Sequence, residues 1–357
     1  MLIVRRLLAT AFAAALFSGC NRTPAPSENS ASEAPEQVIA GTPPASATVP
    51  SGSAPSSSAA KPSSSAKKPV AAPPAVPEIW KQFSGDNAFA AAKAQIELGP
   101  RPSGSAEVGK ARALIEESLR RSGWDVEPQV FTDDTPHGPI QFTNVIARFA
   151  VGGARPAPRN TQRVIVCSHY DTKYFSTIKF VGASDGASST GALLELARVL
   201  ALDPALASKI ELVFFDGEEA IQQFTETDGL WGSRHYASQL AESKRAGQFK
   251  FGILWDMIGD RDLTITLSPD SPIDLARGIL ASSETLGLRK NFGYYERSIY
   301  DDHVPLLRIA HVSTIDLIDF DYPVWHTADD NLDHISGDSL QKVGEVTLHY
   351  LRQALDK

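Results

Sequence analysis

The order of its segments predicts an α/β protein, a three-layer sandwich in which helices flank a central mixed, mostly parallel sheet. Two observations carry that expectation. Short apolar or β-branched runs alternate with amphipathic stretches of helical period, the pattern of a sheet covered on both faces. Polar, acidic loops also follow the apolar runs, as they do where an open sheet carries function at the carboxyl ends of its strands.

The folding unit must first be separated from what precedes it. Asn21–Pro77 holds 12 Pro, 12 Ser and 13 Ala in 57 residues and no aromatic residue, too little apolar surface to offset the entropy of ordering. Residues 21–77 are therefore expected to be a disordered tether and 78–357 a single catalytic domain. Six of the 34 basic and three of the 42 acidic residues fall in 1–77, leaving 28 against 39 and a net charge of −11 for the domain. That acidity argues against a nucleic-acid partner.

Met1–Cys20 reads as an export signal: Arg5 and Arg6, an apolar run Leu7–Phe17, then Ser18-Gly19 before Cys20. Leu16-Phe17-Ser18-Gly19-Cys20 resembles a bacterial lipobox, which implies lipid attachment at Cys20 and a periplasmic, outer-membrane or cell-surface location; a plain secretory signal or an uncleaved anchor, with Cys20 incidental, is the alternative. Cys167, in the apolar run Val164–Cys167, is then expected to be a buried strand thiol.

Within the domain, Asn87–Leu98 has helical spacing and stops at Gly99-Pro100. Ala106–Arg121 is a second amphipathic helix ending at Ser122-Gly123. Strands are expected at Val126–Phe131, Asn144–Phe149, Arg163–Ser168, Lys209–Phe215, Phe249–Trp255 and Val312–Leu317. Helices are expected at Ser188–Leu202, Ser233–Ser243, Pro272–Leu286 with Pro in its first turn, and Gly337–Leu355.

Acidic and imidazole groups collect just past these strands. His169 and Asp171 follow the third; Asp185 lies in a Gly/Ala/Ser loop before a helix; Asp216, Glu218 and Glu219 follow Phe214-Phe215. Asp256 follows Trp255, Asp301-Asp302-His303 form a polar knot, and His326 follows Val324-Trp325. Taken singly, Asp185 is an ordinary helix N-cap and Glu218-Glu219 a solvated turn. Together at one sheet edge they are the convergent oxygen and nitrogen donors that a transition metal with an open position requires.

Six ordered segments carry a family resemblance: Ser168–Lys173 (SHYDTK), Gly182–Ser188 (GASDGAS), Phe214–Ala220 (FFDGEEA), Gly232–His235 (GSRH), Asp301–Pro305 (DDHVP) and Val324–Asn331 (VWHTADDN). They resemble the animal-type glutaminyl cyclases, single-zinc enzymes on the scaffold of bacterial zinc aminopeptidases. The resemblance implies one zinc ion per chain on Asp185, Glu219 and His326, proton transfer by Glu218, and positioning of the reacting group by Asp256 and Asp301. It also implies substrate contacts from Trp325, Phe224 and Ile299, with peptides or proteins bearing N-terminal glutamine as substrates. The catalytic domain is expected to be a monomer.

The same scaffold leaves a second reading open, a di-zinc aminopeptidase in which His169 and Asp256 hold another metal and Asp185 bridges. In the cyclase reading His169 and Asp171 support the site from behind. A binding lipoprotein without turnover would have no use for Glu218. The chain departs from the animal enzymes at Phe224, where they have a pocket tryptophan, at Tyr300, and at Asp321-Tyr322-Pro323.

Overall fold

A computed structural model describes residues 76–150 and 162–356. The expected signal peptide, Cys20 and all but the last two residues of the tether lie outside the described residues. A short 3-10 turn, Ile79–Gln82, precedes α1 (Gly85–Ile96) and α2 (Ala106–Arg121), and an antiparallel hairpin follows, β1 (Trp124–Thr135) and β2 (Gly138–Phe149). Alternating elements come next: β3 (Arg163–His169), α3 (Ser189–Leu200), α4 (Pro204–Ala207), β4 (Ile210–Phe215), α5 (Trp231–Glu242) and β5 (Phe249–Asp256). The chain closes with β6 (Ile265–Leu267), α6 (Ile273–Thr285), β7 (Phe292–Tyr294), α7 (His303–Arg308), β8 (Thr314–Ile318) and α8 (Gly337–Leu355).

The eight strands make one mixed sheet in the order β1-β2-β4-β3-β5-β8-β6-β7. Its centre, β4-β3-β5-β8, is parallel throughout, which puts the carboxyl ends of four neighbouring strands on one edge. Both faces are covered. Val164, Val166, Phe251, Ile253 and Leu317 pack with α1, α2, α3, α6 and α8. Ile165, Cys167, Val213 and Leu254 pack against α5 and α7 on the other side. Alternate residues of one strand thus enter different cores, which is why β3 reads as an unbroken apolar run. Cys167 is fully buried and free, as expected of a strand thiol.

Helix boundaries follow their caps: Ser84, Ser105 and Ser336 accept from the amides of Asn87, Val108 and Ser339 and start α1, α2 and α8. Three expectations shift. Pro272 sits just before α6 instead of inside its first turn. The strands β6 and β7 have only three residues each and leave no periodic signal. The expected polar knot at 301–303 opens α7 instead.

Candidate metal centre and catalytic pocket

The parallel sheet edge decides which side chains meet. His169 and Asp256 are the last residues of β3 and β5. Glu218 and Glu219 lie just beyond β4, His326 in the loop after β8, and Asp185 between β3 and α3. Asp185 is not the N-cap of α3, whose cap is Ser188. Its loop needs glycine: at Gly186, with φ of +85°, a Cβ would stand 2.7 Å from the carbonyl oxygen of Asp171 and 3.0 Å from His169 Cε1.

Two clusters share Asp185. In the first, His326 Nε2 lies 3.1 Å from Glu219 Oε1 and 3.3 Å from Asp185 Oδ2. In the second, His169 Nε2 lies 3.1 Å from Asp256 Oδ1 and 3.3 Å from Asp185 Oδ1. Within each set the donor atoms fall within 4.8 Å of one another. Asp185 Oδ2, 3.3 Å from His326 Nε2, and Glu219 Oε2, 3.5 Å from Lys173 Nζ, are buried with no well-aligned hydrogen bond, so both retain lone pairs that a cation could take. Two carboxylates and an imidazole converging in this way suit a divalent transition metal. His326 holds a left-handed φ of +56°, a strain of about 1–3 kcal/mol for a non-glycine residue.

Burial and the crowding of acids and imidazoles shift these groups in opposite directions. Burial raises the Glu219 carboxyl, and the neighbouring Asp185 raises it further. Burial opposes charge on Asp185, but its bonds to His169 and His326 outweigh that and lower it. Burial lowers His326, yet hydrogen bonds to Asp185 and Glu219 lift it to about 10. The Glu218 carboxyl stands well above its usual range because it is buried and faces Glu219, Asp301 and Asp302. Asp301 is likewise pushed up by burial and by Asp316 and Asp256.

These groups floor a cavity of about 230 Å³. Glu218, Asp256 and Asp301 line it together with Phe224, Ile299 and Trp325, so the structure brings all of the expected pocket residues to one place. The Trp325 ring stacks on His326 at 4.3 Å and is 41% exposed, at the pocket mouth.

Asp171 lies behind the pocket. Its Oδ1 and Oδ2 accept from the Glu218 and Glu219 amides at 3.2 and 3.3 Å, and Oδ1 faces His169 Nδ1 at 3.4 Å. It therefore holds the backbone of the two glutamates. Three residues of the acidic and imidazole pattern, Asp216, Asp302 and His303, belong to neither cluster and do not line the pocket. Asp216 accepts from Ser103 and from the Thr143 amide, and His303 faces Asp316 at 3.6 Å. Lys173, Tyr322 and Asp330 also border the site, and no periodicity or spacing marks them. Lys173 Nζ is 3.5 Å from Glu219 Oε2, and its place in the SHYDTK segment was the one available signal.

A parallel sheet edge carrying these paired carboxylate and imidazole clusters defines an α/β metalloenzyme. Residues 144–351 match the family model of Peptidase family M28. The chain is 34% identical over 273 residues to the glutaminyl-peptide cyclotransferase of Drosophila melanogaster, covering 68% of this chain and 75% of that protein. A glutaminyl cyclase from an Acidobacteriales bacterium superposes with a TM-score of 0.68 at 32% identity, over 81% of this chain and 98% of that one. A Zn-dependent exopeptidase from Parabacteroides distasonis gives a TM-score of 0.68 at 25% identity, over 77% and 99% of the two chains. The chain belongs to peptidase family M28, among the glutaminyl-peptide cyclotransferases.

Proposed function

We propose that this chain converts N-terminal glutamine of peptides or proteins to pyroglutamate with release of ammonia, using one zinc ion held by Asp185, Glu219 and His326. The carrying observation is Glu218: it is buried beside a ligand, outside both metal clusters, and faces a cavity of a size for one residue. Zinc would supply Lewis acidity toward the side-chain amide oxygen and a charge that favours ionised Glu218.

The chain's own residues do the rest. The enclosed pocket holds the α-amine against the side-chain amide of the same residue, so ring closure is intramolecular. Glu218 takes a proton from the amine as the new C–N bond forms and delivers it to the amide nitrogen as that C–N bond breaks. Asp256 and Asp301, both raised by burial, can hold a proton and thus donate as well as accept at the reacting amide. Trp325 supplies an indole N–H at the mouth.

The second cluster, His169 with Asp185 and Asp256, favours one competing reading, a two-metal aminopeptidase. Incubating the purified chain with glutamine-initiated and alanine-initiated peptides separates the two. Ammonia loss from the first without cleavage supports the cyclase, whereas release of a free amino acid from either overturns it. Metal content is the second arm: one tightly bound zinc is expected, and two would favour the peptidase.

We propose further that the protein is exported and anchored through lipid on Cys20, with a monomeric catalytic domain. The Leu16–Cys20 segment and the 57-residue tether support the anchor. A Cys20→Ser variant recovered wholly in the soluble fraction is the expected outcome.

A further inference from the structure

Asp185 and His326 come from loops about 140 positions apart, and one residue joins those loops. Asp330 accepts three consecutive amides of the Asp185 loop. Its carbonyl oxygen takes Ala183 N–H at 3.3 Å, Oδ1 takes Ser184 N–H at 2.7 Å, and Oδ2 takes Asp185 N–H at 3.2 Å. Toward His326, the Asp330 amide donates to the Thr327 carbonyl at 3.3 Å, and the Thr327 amide to that of Val324 at 3.1 Å. The Tyr322 hydroxyl donates to Asp330 Oδ1 at 2.7 Å. Asp330 is fully buried and Tyr322 is 4% exposed. Tyr322 lies in the Asp321–Pro323 stretch where the sequence departs from the animal enzymes.

We infer that Tyr322 and Asp330 are positioning residues, a latch that fixes the separation of Asp185 and His326 and holds His326 in its left-handed conformation, so that the metal site is built before metal binds. The inference rests on the assignment of Asp185 and His326 as ligands. The hydrogen-bond pattern favours it over a merely space-filling role. Asp330 spends both carboxylate oxygens on the Asp185 loop, and Tyr322, which precedes His326 on the other loop, bonds the same oxygen that receives Ser184. Without the hydroxyl, His326 keeps its identity as a ligand but its loop is free to relax toward an unstrained backbone. Outer-shell partners of this kind set metal affinity by about 10–100-fold.

The test is zinc affinity of the full chain, read by competition with a chromophoric chelator and independent of any substrate. Tyr322→Phe is expected to bind zinc about 10–100-fold more weakly and to regain turnover at saturating zinc. Asp330→Asn should lose at least as much, because its amide turns a donor toward the Ser184 or Asp185 N–H. Tyr236→Phe is the control for general loss of stability, since its hydroxyl meets buried Glu211 at 2.6 Å, remote from the pocket. Its zinc affinity should be unchanged. An unchanged zinc affinity in Tyr322→Phe, or equal weakening in Tyr236→Phe, overturns the latch. Peptide cleavage by the unmodified enzyme would overturn the cyclase reading and leave this result standing.

Discussion

Replacing Glu218 by Gln separates the proton carrier from the ligand beside it. Glu218 is 7% exposed and belongs to neither metal cluster, so the amide keeps shape and volume while removing the ability to exchange a proton. Loss of a general acid–base typically costs 10²–10⁴-fold in rate, or about 3–5 kcal/mol of transition-state stabilisation. Folding should be barely affected, because the buried acid already stands well above its usual range without a metal. Glu219→Gln has the opposite signature: it removes an anionic donor 3.1 Å from His326 Nε2 and should lose zinc. The assay measures ammonia release from a glutamine-initiated peptide alongside bound zinc for both variants. Turnover of Glu218→Gln within tenfold of the unmodified enzyme, with zinc retained, would refute the reasoning; loss of zinc from Glu218→Gln with retention in Glu219→Gln would show the roles exchanged.

Gly186→Ala forces a left-handed φ and a Cβ 2.7 Å from the Asp171 carbonyl oxygen; the φ alone costs about 1–2 kcal/mol, to be seen as a lower denaturant midpoint. Without metal, stability should fall as pH rises from 5.5 to 7.5, because burial lifts Asp216, Asp302 and Asp319 to about 7 and their folded-state protons are lost across that window. Each such group contributes up to about 1.4 kcal/mol per pH unit. His303, lowered by burial to about 4, pulls the other way but is outnumbered, and denaturant midpoints rising across this range would refute the point. Chelation should lower thermal stability, since a ligand at 1,000 times its Kd stabilises by about 4 kcal/mol; calorimetry with and without zinc checks it.

Some of this architecture was legible because it depends on local rules. Helix α2 is legible residue for residue from its amphipathic period and its stop at Ser122-Gly123, and β3 from an unbroken apolar run. The donor set was legible as residue types recurring past consecutive strands. What could not be read were contacts between backbone and distant side chains. Asp171 is the companion of His169 that the sequence suggests, at 3.4 Å, but its carboxylate also holds the amides of Glu218 and Glu219, 47 and 48 positions on. Asp330 holds amides some 145 positions back, and no spacing rule connects such pairs. The same holds for β7 and α7: their residues are too few or too polar to declare an element, and only packing makes them one.

The domain's excess of acid has a physical consequence beyond solubility. Asp185, Glu218, Glu219, Asp256, Asp301, Asp302 and Asp316 are all at least nine-tenths buried, and among them only Asp185 is lowered from its ordinary value. Burying so many carboxyls opposes folding unless protons or a cation neutralise them. A divalent ion and protons therefore compete to relieve the same destabilisation, and metal affinity should weaken as pH falls because the ligands must release protons to bind. Glu218, Glu219, Asp256 and Asp301, which bind metal or serve the proposed reaction, are thus among the carboxyls that make the metal-free domain less stable. A fold selected for stability alone would not place them together.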